Sequence, residues 1–121
     1  MDLRERKCKS CEGGVPPLSE SEVRAYLGEL KTEWKVLDNT PGTSRDIGSN
    51  GARKIQREFT FKSFVKAMAF VDRVADIAEI EDHHPDIHIY YNRVVIELWT
   101  HAIGGLSEND FIVAAKIETM M

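Results

Sequence analysis

Apolar residues recur along the chain with two different periods, and the switches between them divide it into elements. Val23, Tyr26, Leu27 and Leu30 stand at i, i+3, i+4 and i+7 behind a Ser19/Glu22 capping box, which predicts a helix with one apolar stripe. Trp34 to Asp38 reads as a short strand. Residues 39–51, dense in Gly, Ser, Thr, Asn and Pro, read as a mobile loop or a wide hairpin connection. Ile55, Phe59 and Phe61 predict a second strand over Ala52 to Phe61, with imperfect alternation around Arg57 and Glu58. From Ser63, a cap, to about Ile80, the residues Phe64, Ala67, Met68, Val71, Val74, Ala75 and Ala78 repeat at helical spacing. Phe70 and Ile77 widen that surface and suggest a second contact.

Pro85 blocks further helix, and the period then becomes two. Ile87, Ile89, Tyr91, Val94, Ile96 and Leu98 fall on one face of a hairpin. With Asn92-Arg93 as its two loop residues, His84 stands opposite His101, Asp86 opposite Trp99, and His88 opposite Glu97. Gly104-Gly105 ends the strand, and Ser107 and Asp110 form a second capping-box pattern before a closing helix from Phe111 to about Thr119. The order α-β-β-α-β-β-α predicts an α+β fold, a four-stranded antiparallel sheet with three helices packed on one face.

Residues 1–17, charged and then turn-rich, read as an arm with a Cys-x-x-Cys, leading into a single domain over 18–121. With 42% hydrophobic and 30% charged residues, the chain sits among globular domains and outside the disordered and disulfide-dense classes. A net charge of -4 offers no positive field to nucleic acid or an anionic membrane. No apolar run approaches the roughly 20 residues that span a bilayer. The charged start Met1-Asp-Leu-Arg-Glu-Arg-Lys7 does not resemble a signal peptide. With Cys8 and Cys11 the only cysteines, these features predict a soluble cytoplasmic protein.

Candidate chemistry is concentrated in one region. All four histidines, His83, His84, His88 and His101, lie within nineteen residues. Imidazole titrates at about 6.5, so a cluster can hold one ring as acid and another as base, as a dehydration requires. Plainer readings stand beside this one. His83-His84 can be a polar turn ending a helix, and His88 with Glu97 a surface cross-strand pair. His84, His101 and Asp86 could supply three ligands of a catalytic zinc site, and Cys8/Cys11 are either half a zinc knuckle or two inert thiols. Neither a Gly-rich phosphate cradle nor a Gly-x-Ser-x-Gly turn is present.

Several segments together carry a family likeness: Glu79-Ile-Glu-Asp-His-His-Pro-Asp86, Tyr91-Asn92, Thr100-His101 and Gly105-Leu-Ser-Glu-Asn-Asp110. Phe61-Lys-x-Phe64, Ala67-Met68-x-Phe70-Val71, Pro16-Pro17-Leu18 and the Cys-x-x-Cys arm extend it over nearly the whole chain. The chain resembles the pterin-4a-carbinolamine dehydratases of bacterial type. The resemblance implies a 4a-hydroxytetrahydrobiopterin dehydratase, which removes water from 4a-hydroxytetrahydropterin to give quinonoid dihydropterin in tetrahydrobiopterin recycling. It implies no metal and no organic cofactor. The catalytic histidines of the family carry over onto His83, His84 and His101, and substrate-binding positions onto Glu79, Asp82, Trp99, Thr100 and Asp110. His88 stays outside this set, and Asp110 keeps its plain alternative as a cap. The chain departs from the family pattern at Ile87, where an aromatic is common, and at Ala102, where an acidic residue is frequent. Family members assemble as homodimers or homotetramers, so the implied partners are a small-molecule pterin and further copies of the chain, with no direct nucleic-acid or membrane partner. The alternatives are a non-catalytic dimerisation or coactivator module, since animal relatives bind a transcription factor; a dehydratase-like role in molybdopterin metabolism; and a metal-dependent lyase or hydrolase.

Overall fold

The two periods bury their apolar faces against each other. In the computed structural model, which describes residues 3–8, 17–38 and 53–120, three helices lie on one face of a four-stranded sheet. The helices are α1 (Glu20–Glu29), α2 (Phe64–Glu81) and α3 (Glu108–Glu118). The strands are β1 (Lys35–Asp38), β2 (Arg53–Thr60), β3 (Asp86–Tyr90) and β4 (Arg93–Leu98). Neighbouring strands are antiparallel in the order β1-β2-β4-β3, and the chain order α-β-β-α-β-β-α is the one expected. The segment 39–51, Cys11 and Pro16 lie outside the described residues.

The central strands supply the sheet's half of the core. Ile55 of β2 pairs with Leu98 of β4, and Phe59 with Val94, and all four side chains are buried. Helix α3 is buried almost all round, from Asn109 to Ala115 and again at Ile117, as befits a helix enclosed on every side. Part of its cover comes from the arm, where a 3-10 turn over Leu3–Glu5 packs on α3. Leu3 is only 2% exposed and belongs to the core, whereas the sequence reading places residues 1–17 outside it. A single apolar residue in a charged run has no period by which to announce itself.

Two further details differ from expectation. The buried stripe of α2 is Ala67, Phe70, Val74, Ala78 and Glu81, while Phe64 and Ala75 face outward. Phe70 meets the rings of Phe59 and Phe61 at centroid distances of 4.7 and 5.0 Å, so it lies inside the core and not on a second surface. The β3–β4 hairpin turns at Tyr91-Asn92, with Asp86 opposite Glu97, His88 opposite Val95 and Tyr90 opposite Arg93. Relative to the predicted register one strand has slid by two residues, which keeps the apolar face intact but removes the His84–His101 pairing. Contacts outside the hairpin fix the turn. Phe61 N–H donates to the Asn92 carbonyl at 2.9 Å, and Asn92 Nδ2 donates back to the Phe61 carbonyl at 2.8 Å. Tyr91 takes a left-handed φ of 54°.

Candidate functional site

Three chain reversals bring the candidate residues together. Helix α2 ends at Asp82, which adopts φ 52° and ψ 43°, and both its N–H and that of His83 close onto the Ala78 carbonyl. Pro85 then prevents the helix from resuming, so His83 and His84 project from its end. Helix α3 starts at the Ser107/Asp110 capping box. Between them, the chain leaves β4 at Leu98 and continues through Trp99 and Thr100 to a short 3-10 turn over His101–Ile103. Thr100 N–H donates to the Gly105 carbonyl at 2.8 Å and Gly105 N–H returns to the Thr100 carbonyl at 3.3 Å, closing that turn. Gly104 supplies the φ of 67° the closure needs, and Gly105 lies so near Pro17 that an added Cβ would stand 2.7 Å from the Pro17 ring.

The result is an open cleft of about 590 Å³ lined by His83, His84 and His101 together with Asp82, Trp99 and Thr100. The three histidines therefore share one cleft although no ladder pairing joins them. Asp86, Pro85, Ala102 and Asn109 complete the lining. Asn109 had no separate signal in the sequence beyond its place beside Asp110 in the first turn of α3.

Asp110 is fully buried. Oδ1 meets His83 Nε2 at 2.6 Å, while Oδ2 accepts from Thr100 Oγ1 and from Ser107 N–H, both at 2.9 Å. The Thr100 and Ser107 hydroxyls also meet at 2.7 Å. One carboxylate thus caps the helix and touches the histidine, and the imidazole is left with Nδ1 free of Asp110. His83 retains 12% side-chain exposure.

The other two rings are held more loosely. His84 Nε2 meets Glu79 Oε2 at 2.6 Å, with both side chains exposed, so Glu79 reaches the site through His84. His101 lies over the Trp99 ring, with centroids 3.7 Å apart and planes tilted by 35°. Trp99 is 3% exposed and its Nε1 is buried without a hydrogen-bond partner among the described residues. Asp82 stands exposed at the rim, and Thr100 is buried against Asp110.

His88 is elsewhere. It lies in a second depression of about 430 Å³, with Lys35, Gln56 and Glu97, and its Nε2 is 3.3 Å from Glu97 Oε1. Glu97 also accepts from Lys54 Nζ at 3.1 Å and Gln56 Nε2 at 2.6 Å. Among the described residues, no three His, Cys, Asp or Glu side chains come together as a metal-ligand group.

Similarity to known proteins covers almost the whole chain. Residues 16–120 match the family model described as Pterin 4 alpha carbinolamine dehydratase. A relative from Nitrosomonas eutropha, provisionally named a pterin-4-alpha-carbinolamine dehydratase, is 47% identical over 120 residues, which is 99% of this chain and 94% of the relative. Among solved structures, the transcriptional coactivator/pterin dehydratase from Brucella melitensis aligns with a TM-score of 0.71 at 35% identity, covering 86% of this chain and 97% of that one. A pterin dehydratase-like protein described as a RuBisCO assembly factor in the alpha-carboxysome aligns with a TM-score of 0.56 over 74% of this chain and 90% of that one. At 20% identity, that likeness is one of fold.

Proposed function

The chain belongs to the pterin 4 alpha carbinolamine dehydratase family, and we propose that it removes water from 4a-hydroxytetrahydropterin by histidine acid–base catalysis. The reaction takes a proton from N5, uses the released electron pair to form the C4a=N5 bond, and expels the C4a oxygen as water after protonation. One base and one acid suffice, each worth ~10²–10⁴-fold when positioned. His83 is the base: its Nε2–H is committed to Asp110 and Nδ1 is left to accept the N5 proton. His101, supported on Trp99, is the acid that protonates the leaving hydroxyl. His84, held by Glu79, binds and orients the bicyclic ring, with Asp82 at the rim. Asp110 and Thr100 act through His83, since every oxygen of Asp110 is buried against protein.

The single observation that carries this reading is the convergence of His83, His84 and His101 on one cleft with a buried carboxylate behind the first. The test is carbinolamine dehydration by purified, metal-stripped protein. Acceleration without added metal is expected. Activity that returns only with a divalent cation would favour a metal-dependent lyase, and inactivity under both conditions would favour an interaction module.

The proposed setting is tetrahydrobiopterin recycling in the cytoplasm; no helix among the described residues is long and apolar enough to cross a membrane. The proposed assembly is a homodimer or homotetramer. Since Phe70 is buried, its contact surface is sited instead on exposed Phe64 and Val65 of α2 and on Ile89, Tyr90 and Tyr91 along the β3 edge. Light scattering at micromolar concentration checks it, and a monomer there overturns it.

A further inference from the structure

We propose that the arm Leu3–Cys8 holds the base histidine in its working geometry, with Glu81 as the positioning residue through which it acts. This rests on the dehydratase reading of the same cleft. The match to the family model begins at residue 16, so the arm Leu3–Cys8 lies outside the matched stretch.

The His83–Asp110 contact joins two helix ends, the C-terminus of α2 and the N-terminus of α3. A 2.6 Å hydrogen bond between a residue just past the end of one helix and one in the first turn of another persists only if those ends are fixed relative to each other, and displacements near 1 Å can cost ~10²-fold in rate. Cys8 spans the same two ends. Its N–H donates to Glu81 Oε1 at 2.9 Å, and its thiol donates to the Asn109 carbonyl at 3.7 Å. Glu81 is the last residue of α2, two positions before His83, and Asn109 directly precedes Asp110. Each contact of Cys8 therefore falls within two residues of one member of the His83–Asp110 pair.

Glu81 adds a second tie, because its Oε2 is 3.2 Å from Lys116 Nζ on α3. A carboxylate this buried is costly unless it is satisfied. Burial alone would raise the Glu81 carboxyl, but the Cys8 N–H and the Lys116 ammonium outweigh it and hold it below the usual glutamate range. Burial, with Glu81 and Asp110 nearby, pushes the Cys8 thiol up to about 12. It therefore remains a protonated donor and a poor nucleophile. The arm is anchored at its other end by buried Leu3 and midway by Arg6 on Glu108, a carboxylate that also accepts from the Tyr26 hydroxyl at 2.9 Å.

The test uses full-length protein carrying Cys8→Pro, which deletes the N–H donor; Glu81→Gln, which keeps an acceptor but loses the charge facing Lys116; and Cys8→Ser, which keeps both donors. Two readouts are taken: kcat and KM for dehydration, and the ring N–H resonance of His83 in the substrate-free protein, assigned by its loss in His83→Ala. In Cys8→Pro, kcat should fall at least ~10-fold with KM changed less than about twofold. The His83 resonance should move upfield as its bond to Asp110 lengthens. Glu81→Gln should show a smaller change of the same kind, and Cys8→Ser should restore both readouts. Variants that melt earlier yet leave kcat and the His83 resonance unmoved would overturn the proposal, leaving the arm a structural strap. A wild-type protein without dehydratase activity would overturn the function instead, and the resonance would still decide the role of the arm.

Discussion

Two of the histidine–carboxylate pairs, His83–Asp110 and His88–Glu97, occupy different regions of the molecule, and the first borders the cleft for which catalysis is proposed. In the cleft, His83 meets Asp110 at 2.6 Å, and at the second depression His88 meets Glu97 at 3.3 Å. Both carboxylates are buried. Their other partners differ. Among the described residues, Asp110 has neutral donors besides His83, the Thr100 hydroxyl and the Ser107 N–H, so the imidazole is its one partner there able to carry positive charge. Glu97 already has the Lys54 ammonium at 3.1 Å, and His88, 44% exposed against 12% for His83, adds little to a charge that is already balanced. A carboxylate orients a catalytic imidazole when it depends on that imidazole and the ring borders a cleft. When a lysine has satisfied it first, the pair is part of the sheet's surface.

The largest test of that contrast is removal of the rings. His83→Ala and His101→Ala should each slow dehydration by at least ~10²-fold, whereas His88→Ala should leave kcat within about twofold. Steady-state kinetics on variants with unchanged circular dichroism decides it. Equal losses at His83 and His88 would erase the distinction.

Removing the charge behind each ring sharpens the same comparison. Asp110→Asn keeps the shape but turns an amide donor toward groups that are themselves donors, so the His83 orientation is lost. kcat should fall by at least ~10-fold while KM changes little. Glu97→Gln should cost about 1–3 kcal/mol of folding stability by removing the carboxylate charge that faces the Lys54 ammonium in a buried network, with kcat unchanged. Urea denaturation and kinetics should show a stability loss in Glu97→Gln without a loss of kcat, whereas Asp110→Asn should lose kcat whatever its stability.

How much of this was legible in the sequence depends on whether a feature is local. Both capping boxes are, and they form as read at Ser19/Glu22 and Ser107/Asp110. The clustering of His83, His84 and His101 at one cleft was legible through their spacing, but not through the geometry used to bring His84 and His101 together. Alternation repeats every two residues, so a slide of two leaves the pattern unchanged, and the true turn is chosen by the Asn92–Phe61 hydrogen bonds, which no local pattern contains. Phe70 faces the core because Phe59 and Phe61 wait there, a tertiary fact. Asp110 had two competing readings, cap and site residue, and the structure gives one oxygen to the cap and the other to His83.

The smallest expected effect is a pH dependence at the sheet-face pair. Burial alone would raise the Glu97 carboxyl, but hydrogen bonds from Gln56, Lys54 and His88 outweigh it and hold it below the ordinary value of 4.5. A carboxyl lowered on folding stabilises the native state fully above its ordinary value, and that contribution drains away as pH falls through the lowered one. Glu81 is lowered as well, so acid weakens the wild type from more than one site. The difference between the Glu97 protein and Glu97→Gln, both taken in a His88→Ala background so that the imidazole 3.3 Å away titrates in neither, isolates Glu97. Thermal melts should show a constant gap between the two proteins from about pH 7 to about pH 5, narrowing below that as Glu97 takes up its proton. A gap that persists unchanged to about pH 3 would mean that Glu97 contributes through shape rather than charge, and the balanced-charge account of the His88 region would fall with it.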